Sequence, residues 1–212
     1  MLEKKIIELY SLVHNPIEYT NGPEISFDGS QKQSEFFTAW NHIVEFYKNK
    51  NLSNISFLEI GAWKGLWGLA FFEFCKMKEI NGSYTTVTMI DHDPNNRPLY
   101  KTIDYLKQNN FSSELINMNT FNEGVINEVK KISNKFNIVF IDAGHKYDEV
   151  INDINKFYGF AEDLLIFHDI GPREVTPDFG VYKAIKDSNI KLDWEIAETD
   201  KHMGIGIHYI NK

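Results

Sequence analysis

An α/β fold with a mostly parallel sheet is predicted by three features of the 212-residue sequence. From Ile55 onward, short apolar runs alternate with amphipathic helical patterns. The first run, Ile55-Ser56-Phe57-Leu58-Glu59-Ile60, opens on the glycine turn Gly61-Ala62-Trp63-Lys64-Gly65 and then on a long apolar helical pattern. The far end breaks the alternation, because Lys191–Glu198 and Met203–Tyr209 read as two strands joined through Thr199, Asp200 and Lys201. A terminal hairpin of this kind adds an antiparallel strand to an otherwise parallel sheet, and seven strands are expected in all.

Taken in order, Leu2, Ile6, Leu9 and Val13 recur at helical spacing and predict a helix that stops before Pro16. Residues Asn15 to Gly29, rich in Asn, Pro, Gly and Asp, read as loop. Ser30 and Gln33 have capping-box spacing ahead of the stripe Phe36, Trp40, Ile43, Val44 and Tyr47, which predicts a second helix from about Gln31 to Lys50. The core strands are expected at Ile55–Ile60, Tyr84–Asp91, Glu114–Asn119, Asn137–Asp142 and Leu164–Asp169. Helices are expected between them at Lys64–Met77, Arg97–Gln108, Asn122–Lys131 and Tyr147–Phe157, with one more near Tyr182–Lys186. Pro98 suits the first turn of its helix. Gly68 is a weak helix former and implies close packing against the sheet. There is no internal repeat and no interdomain linker. The chain therefore reads as a single domain, 1–212, with an N-terminal helical element (1–50) before the core (51–212).

The bulk numbers narrow the function. Hydrophobic content of 42% supports a packed core, and a net charge of −8 disfavours nonspecific nucleic-acid or anionic-membrane binding. The single cysteine, Cys75, allows no disulfide framework and lies in an apolar helical pattern, as a buried structural thiol does. The N-terminus lacks signal-peptide character, and no apolar run approaches the roughly 20 residues of a spanning helix. A cytoplasmic protein acting on a small molecule, with neither membrane nor nucleic acid as partner, is the expectation.

Four strand ends finish in acids: Glu59, Asp91, Asp142 and Asp169. Desolvating an acid at a buried strand end is unfavourable unless something pairs with it, so four on one rim point to a common site. Phosphate loops want no fixed negative charge before their first glycine, whereas a ligand ammonium or hydroxyl would welcome Glu59. A carboxylate at Asp91 can accept both hydroxyls of a ribose diol. His145 is the best candidate base, since an imidazole titrates near neutral pH; Lys146 and Asp142 are alternatives. His168, His202 and His208 read as structural. Trp67 reads as core, and Trp63 as a candidate pocket wall.

These motifs resemble a known family. Glu59-x-Gly61-x-x-x-Gly65 is similar to motif I of the class I S-adenosylmethionine-dependent methyltransferases. Phe140-Ile141-Asp142-Ala143-Gly144-His145-Lys146-Tyr147 with Phe167-His168-Asp169-Ile170 resembles a motif pair of the subgroup that includes macrocin O-methyltransferase-like and cephalosporin-hydroxylase-like proteins. The resemblance spans about residues 30 to 210 and implies a Rossmann-like sandwich with N-terminal helices and S-adenosyl-L-methionine as cofactor.

Residue by residue, the resemblance implies that Gly61, Ala62, Trp63 and Gly65 lie along the methionine part, with Glu59 at its ammonium. Asp91 would take the ribose, with His92 beside it. Asn119, within Asn117–Thr120, would lie near the adenine, and Asp142 near the sulfonium and the acceptor. It also implies Asp142 and Asp169 as ligands of Mg²⁺ or another divalent cation. The sequence departs from the metal-dependent pattern at Ile170, where an Asp or Asn is frequent; His168, Asp148, substrate oxygens or waters would then complete the shell. O-methylation of a small hydroxylated acceptor, a sugar or natural-product precursor, is the implied activity. Two alternatives stand beside it. A nicotinamide-dependent oxidoreductase needs a glycine where Trp63 stands, and a non-catalytic adenosyl-ligand module would keep the rim without turnover. The loop Gly171–Gly180, with Arg173, reads as a lid or rim of the acceptor site, and a homo-oligomer is compatible with the sequence.

Overall fold

Two helices and a minimal hairpin precede the sheet. The computed structural model describes residues 2–14, 26–27, 31–90, 98–171, 175–176, 178–197 and 204–211. Helix α1 is Leu2–His14; strands β1 (Ser26–Phe27) and β2 (Gln31–Lys32) pair antiparallel, and helix α2 is Gln33–Phe46. The second helix thus starts later than its periodicity predicts, with Gln33 as its first residue. Ser30 itself lies outside the described residues.

The core continues with β3 (Asn54–Ile60), α3 (Leu66–Lys78), β4 (Asn81–Thr88), α4 (Pro98–Gln108), β5 (Ser112–Asn117), α5 (Val125–Ile132), β6 (Phe136–Ile141), α6 (Tyr147–Phe157), β7 (Ala161–His168), α7 (Val181–Asp187), β8 (Trp194–Ile196) and β9 (Ile205–Tyr209). The seven-stranded sheet has the order β5-β4-β3-β6-β7-β9-β8. Strands β3 to β7 are parallel, and β9 runs antiparallel between β7 and β8. This is the predicted α/β architecture with its terminal antiparallel hairpin.

Alternation along the strands divides the core into two layers. Ile55 and Phe57 face α1, α2, α3 and α4, while Leu58 and Ile60 face α5, α6 and α7. Helix α3 is buried almost all round, which explains its apolar sequence. Trp67 lies within it, its ring centroid 4.3 Å from Phe140 and 5.2 Å from Phe36, so its reading as core holds. Cys75 is buried, and burial pushes its thiol pKa up. Among the described residues, no helix is long and apolar enough to cross a membrane.

Candidate active site

The carboxyl ends of β3, β4, β6 and β7 form one rim, because parallel strands end on the same edge. At its centre the turn after β3 must bend sharply. Gly61 has φ +92°, and a Cβ there would collide with the backbone of Asp142 and Ala143. The close approach that requires this glycine is therefore to the neighbouring strand end. Gly61 N–H donates to the Val87 carbonyl and Asp142 N–H to the Ile60 carbonyl, each at 2.8 Å, and so the turn is stitched to β4 and β6.

Gly65, at φ +77°, caps α3 in the left-handed region. A Cβ on it would lie 2.7 Å from the methyl of Thr102 on α4. The Thr102 hydroxyl donates to the Lys64 carbonyl at 2.6 Å and lies 3.0 Å from His14 Nε2 at the end of α1. Sequence reading missed this support; its signal is only a threonine at a buried helix position. Ala62 is buried beneath the loop, while Trp63 stands out from it, 41% exposed.

Glu59 is 2% exposed on the α3 side of the sheet. Tyr84 on β4 donates its hydroxyl to the Glu59 carboxyl. Burial raises the Glu59 pKa to about 8, against the hydrogen bond from Tyr84, which lowers it. Room for the Tyr84 ring comes from α3, where a Cβ on Gly68 would meet it at 2.7 Å. The close packing expected of Gly68 is thus the device that lets a phenol reach the acid.

Asp91 and His92 lie outside the described residues, as do Arg173 and His202. The approach to Asp91 is described: Asn117 at the end of β5 accepts from the Ile90 N–H at 2.9 Å, fixing the end of β4. Asn119 is exposed, its side-chain oxygen taken by the Phe121 N–H at 2.8 Å in a local turn.

On the other half of the rim, two acids and two imidazoles alternate. His145 Nε2 is 3.0 Å from Asp169 and 4.0 Å from Asp142; His168 Nδ1 is 3.2 Å from Asp142 and 3.4 Å from Asp169. Asp142 and Asp169 each stand one residue beyond the strand predicted to contain them. Asp169 adopts φ +56°, a left-handed backbone that aspartate tolerates better than most residues. The Phe179 ring stacks on His145 at 5.6 Å and 8°, and Gly180 N–H donates to the His145 carbonyl at 2.8 Å. Lys146 is instead exposed at the N-cap of α6, where its backbone N–H donates to Glu149 at 3.2 Å. Asp148 is exposed on α6, and His208 bonds the Lys191 carbonyl at 2.8 Å, a structural role.

Each acid and imidazole in this group is shifted by the others. Burial raises the Asp142 pKa, against the pull of His168. Burial acts the same way on Asp169, but hydrogen bonds from His145 and His168 outweigh it and bring the carboxyl down to about 2. His145 is raised, first by its hydrogen bond to Asp169. Desolvation opposes charge on His168, yet Asp142 and Asp169 hold it well above the ordinary histidine value. The two acids and the two imidazoles thus form one electrostatically linked group. Asp142, His168 and Asp169 each also offer a ligand atom, all within 4.8 Å of one another, a donor set that fits a divalent cation.

A methyltransferase-domain family model matches residues 58–170, more than half of the chain, from the middle of β3 through Asp169 to Ile170. The chain belongs to this methyltransferase family. No curated protein sequence matches the methyltransferase significantly. Among solved structures it is similar to a Listeria monocytogenes protein assigned to the class I S-adenosylmethionine-dependent methyltransferases, with TM-score 0.59 and 12% identity over 98% of this chain and 68% of that one. It is similar to the Podospora anserina methyltransferase PaMTH1, solved with S-adenosylhomocysteine, with TM-score 0.53 and 14% identity over 98% of this chain and 88% of that one. The MycE methyltransferase of the mycinamycin biosynthetic pathway, solved with Mg, S-adenosylhomocysteine and mycinamycin VI, gives TM-score 0.57 and 14% identity over 97% of this chain; the methyltransferase spans 54% of MycE. At these identities the likeness is one of fold.

Proposed function

We propose that the chain is a single-domain S-adenosylmethionine-dependent O-methyltransferase acting on a small hydroxylated acceptor, with a divalent cation held by Asp142 and Asp169. The observation that carries this reading is the abutment of the glycine turn on the acid–imidazole group. The backbone of Asp142 and Ala143 fills the space where Gly61 would carry a side chain. A ligand lying along residues 61–65 therefore ends beside Asp142.

In this reading Gly61, Ala62, Trp63 and Gly65 flank the methionine end of the cofactor, Asp91 takes the ribose, and Asn119 and His92 border the adenosine. Glu59, hydrogen-bonded by Tyr84, holds the cofactor's ammonium directly or through water. In methyl transfer the acceptor oxygen attacks the methyl carbon, the carbon–sulfur bond breaks, and its electron pair stays on sulfur. The protein must align the two and take the acceptor's proton. With Nε2–H donating to Asp169, a neutral His145 carries its lone pair on Nδ1, and that atom receives the proton. Asp169 fixes the tautomer and Phe179 the ring plane. A bound divalent cation would polarise the acceptor oxygen and lower its pKa.

Calorimetry with S-adenosylhomocysteine and a methyl-transfer assay on a panel of sugars and phenolic natural-product precursors test the proposal. Micromolar binding is expected, weakened in Asp91→Ala and retained in His145→Ala, with turnover depressed in the latter. Absence of binding at millimolar ligand would remove the reading.

A further inference from the structure

We infer that the cation site takes an imidazole nitrogen, His168 Nδ1, as its third protein ligand, and so favours a first-row transition ion such as Fe²⁺, Co²⁺ or Mn²⁺ over Mg²⁺. The inference rests on the divalent-cation reading above and states which ion that site takes.

The distances fit one ion. Ligands at right angles around a cation with bonds of about 2.1 Å are separated by about 3 Å. His168 Nδ1 lies 3.2 Å from Asp142 and 3.4 Å from Asp169, a triangle that one cation can span after small adjustments. The acids come from the ends of adjacent strands, and His168 is the last residue of β7, so the sheet itself sets the triangle.

His168 is not placed as a bystander. Its side chain is 4% exposed, and its ring meets Phe140 edge-on at 6.5 Å. Its backbone is paired with Ile205 of β9. The ring is therefore confined on several sides and keeps Nδ1 on the two carboxylates. Nε2, by contrast, is buried with no hydrogen-bond partner among the described residues. One ring nitrogen is left unmet while the other is directed at the two best oxygen ligands on the rim.

The donor type then decides the ion. Mg²⁺ favours six oxygens in near-ideal octahedral geometry and sheds water reluctantly, whereas imidazole suits first-row transition ions. His145 remains outside the ligand triangle and holds Asp169 through Nε2.

The test uses the full chain stripped with a chelator, with ¹⁵N-labelled histidine, and titrated with Mn²⁺, Co²⁺ and Mg²⁺ by calorimetry. Pulsed electron paramagnetic resonance of the Mn²⁺-loaded protein reads nitrogen coordination directly. Mn²⁺ should bind about a hundredfold or more tightly than Mg²⁺, and a histidine-nitrogen coupling should be present. That coupling should persist in His145→Ala and vanish in His168→Glu, whose all-oxygen set should narrow the Mn²⁺ to Mg²⁺ ratio by about tenfold. An uncoupled Mn²⁺ signal in the wild-type protein overturns the inference, as does a ratio unchanged in a folded His168→Glu. Should His168→Glu fail to fold, the wild-type and His145→Ala spectra decide. If no ion binds while S-adenosylhomocysteine does, the cation reading falls with this inference and the methyltransferase reading stands.

Discussion

Thr102 holds Lys64: its hydroxyl reaches the Lys64 carbonyl at 2.6 Å while its methyl occupies the space left by the missing side chain of Gly65. One residue of α4 thereby shapes the loop assigned to the methionine end of the cofactor. Thr102→Val keeps the shape and removes the hydroxyl. It should weaken S-adenosylhomocysteine binding about 3- to 10-fold, in line with a net hydrogen-bond contribution of about 1 kcal/mol. Calorimetry checks this, and an unchanged dissociation constant would show that the loop holds its shape without α4.

Gly68 makes room for Tyr84, whose ring would lie 2.7 Å from an added Cβ. Helix propensity alone favours alanine by about 1 kcal/mol. Overpacking against a fixed ring costs about 1–3 kcal/mol and is expected to win. Urea unfolding of Gly68→Ala should show a net loss of stability; a gain would mean that the ring moves freely.

Glu59 links stability to pH. Its pKa is raised from 4.5 to about 8 in the folded protein, so between those values the native state holds a proton that the unfolded chain has released. Its contribution to stability is fully present below the unfolded pKa and is lost as pH rises through the folded one, with a slope of up to about 1.4 kcal/mol per pH unit. Glu59→Gln removes this dependence. Relative to wild type, the variant should gain stability steadily from pH 5 to pH 8 in denaturant titrations; parallel curves would show that Glu59 is ionised in the fold.

His145 and Phe179 separate chemistry from binding. His145→Ala should lower turnover by about 10²- to 10⁴-fold, the usual scale of a lost general base. Phe179→Ala removes only the stacked ring and should lower it by about 2- to 5-fold, consistent with about 0.5–1 kcal/mol for a stacked aromatic pair. Neither should change S-adenosylhomocysteine affinity. A drop in affinity matching the drop in turnover would place both residues in cofactor binding.

Periodicity made the repeating core legible, and α6 is found over the predicted residues 147–157. Edges were less so. Residues 31–32 pair with 26–27 instead of opening α2, a local hairpin that helical spacing cannot register. The hairpin strand expected over Lys191–Glu198 shortens to Trp194–Ile196, because it pairs only with β9. In the site, the acids were visible as a column of strand ends. Their partners were not. Tyr84 reaches Glu59 on the neighbouring strand, and His168 likewise turns to Asp142 beyond the end of the strand next to its own. His168 read as structural, with the cation shell as its alternative, for that reason: one sequence gives the strand end but not the direction in which an imidazole faces. Lys146 read as a candidate base from its place beside His145, yet the start of α6 leaves it exposed.

The sheet order has a consequence for assembly. Strand β9 comes after every other described strand in the chain, yet it lies inside the sheet, with Ile205 against His168 on one side and Ile196 on the other. During synthesis, β7 and β8 therefore emerge before the strand that joins them, and β7 waits with an open edge. The histidine and aspartate at its tip gain their final backing only when residues 205–209 arrive. The glycine turn after β3 can form much earlier. A nascent chain would thus acquire the proposed cofactor end of its site first and the proposed catalytic end last.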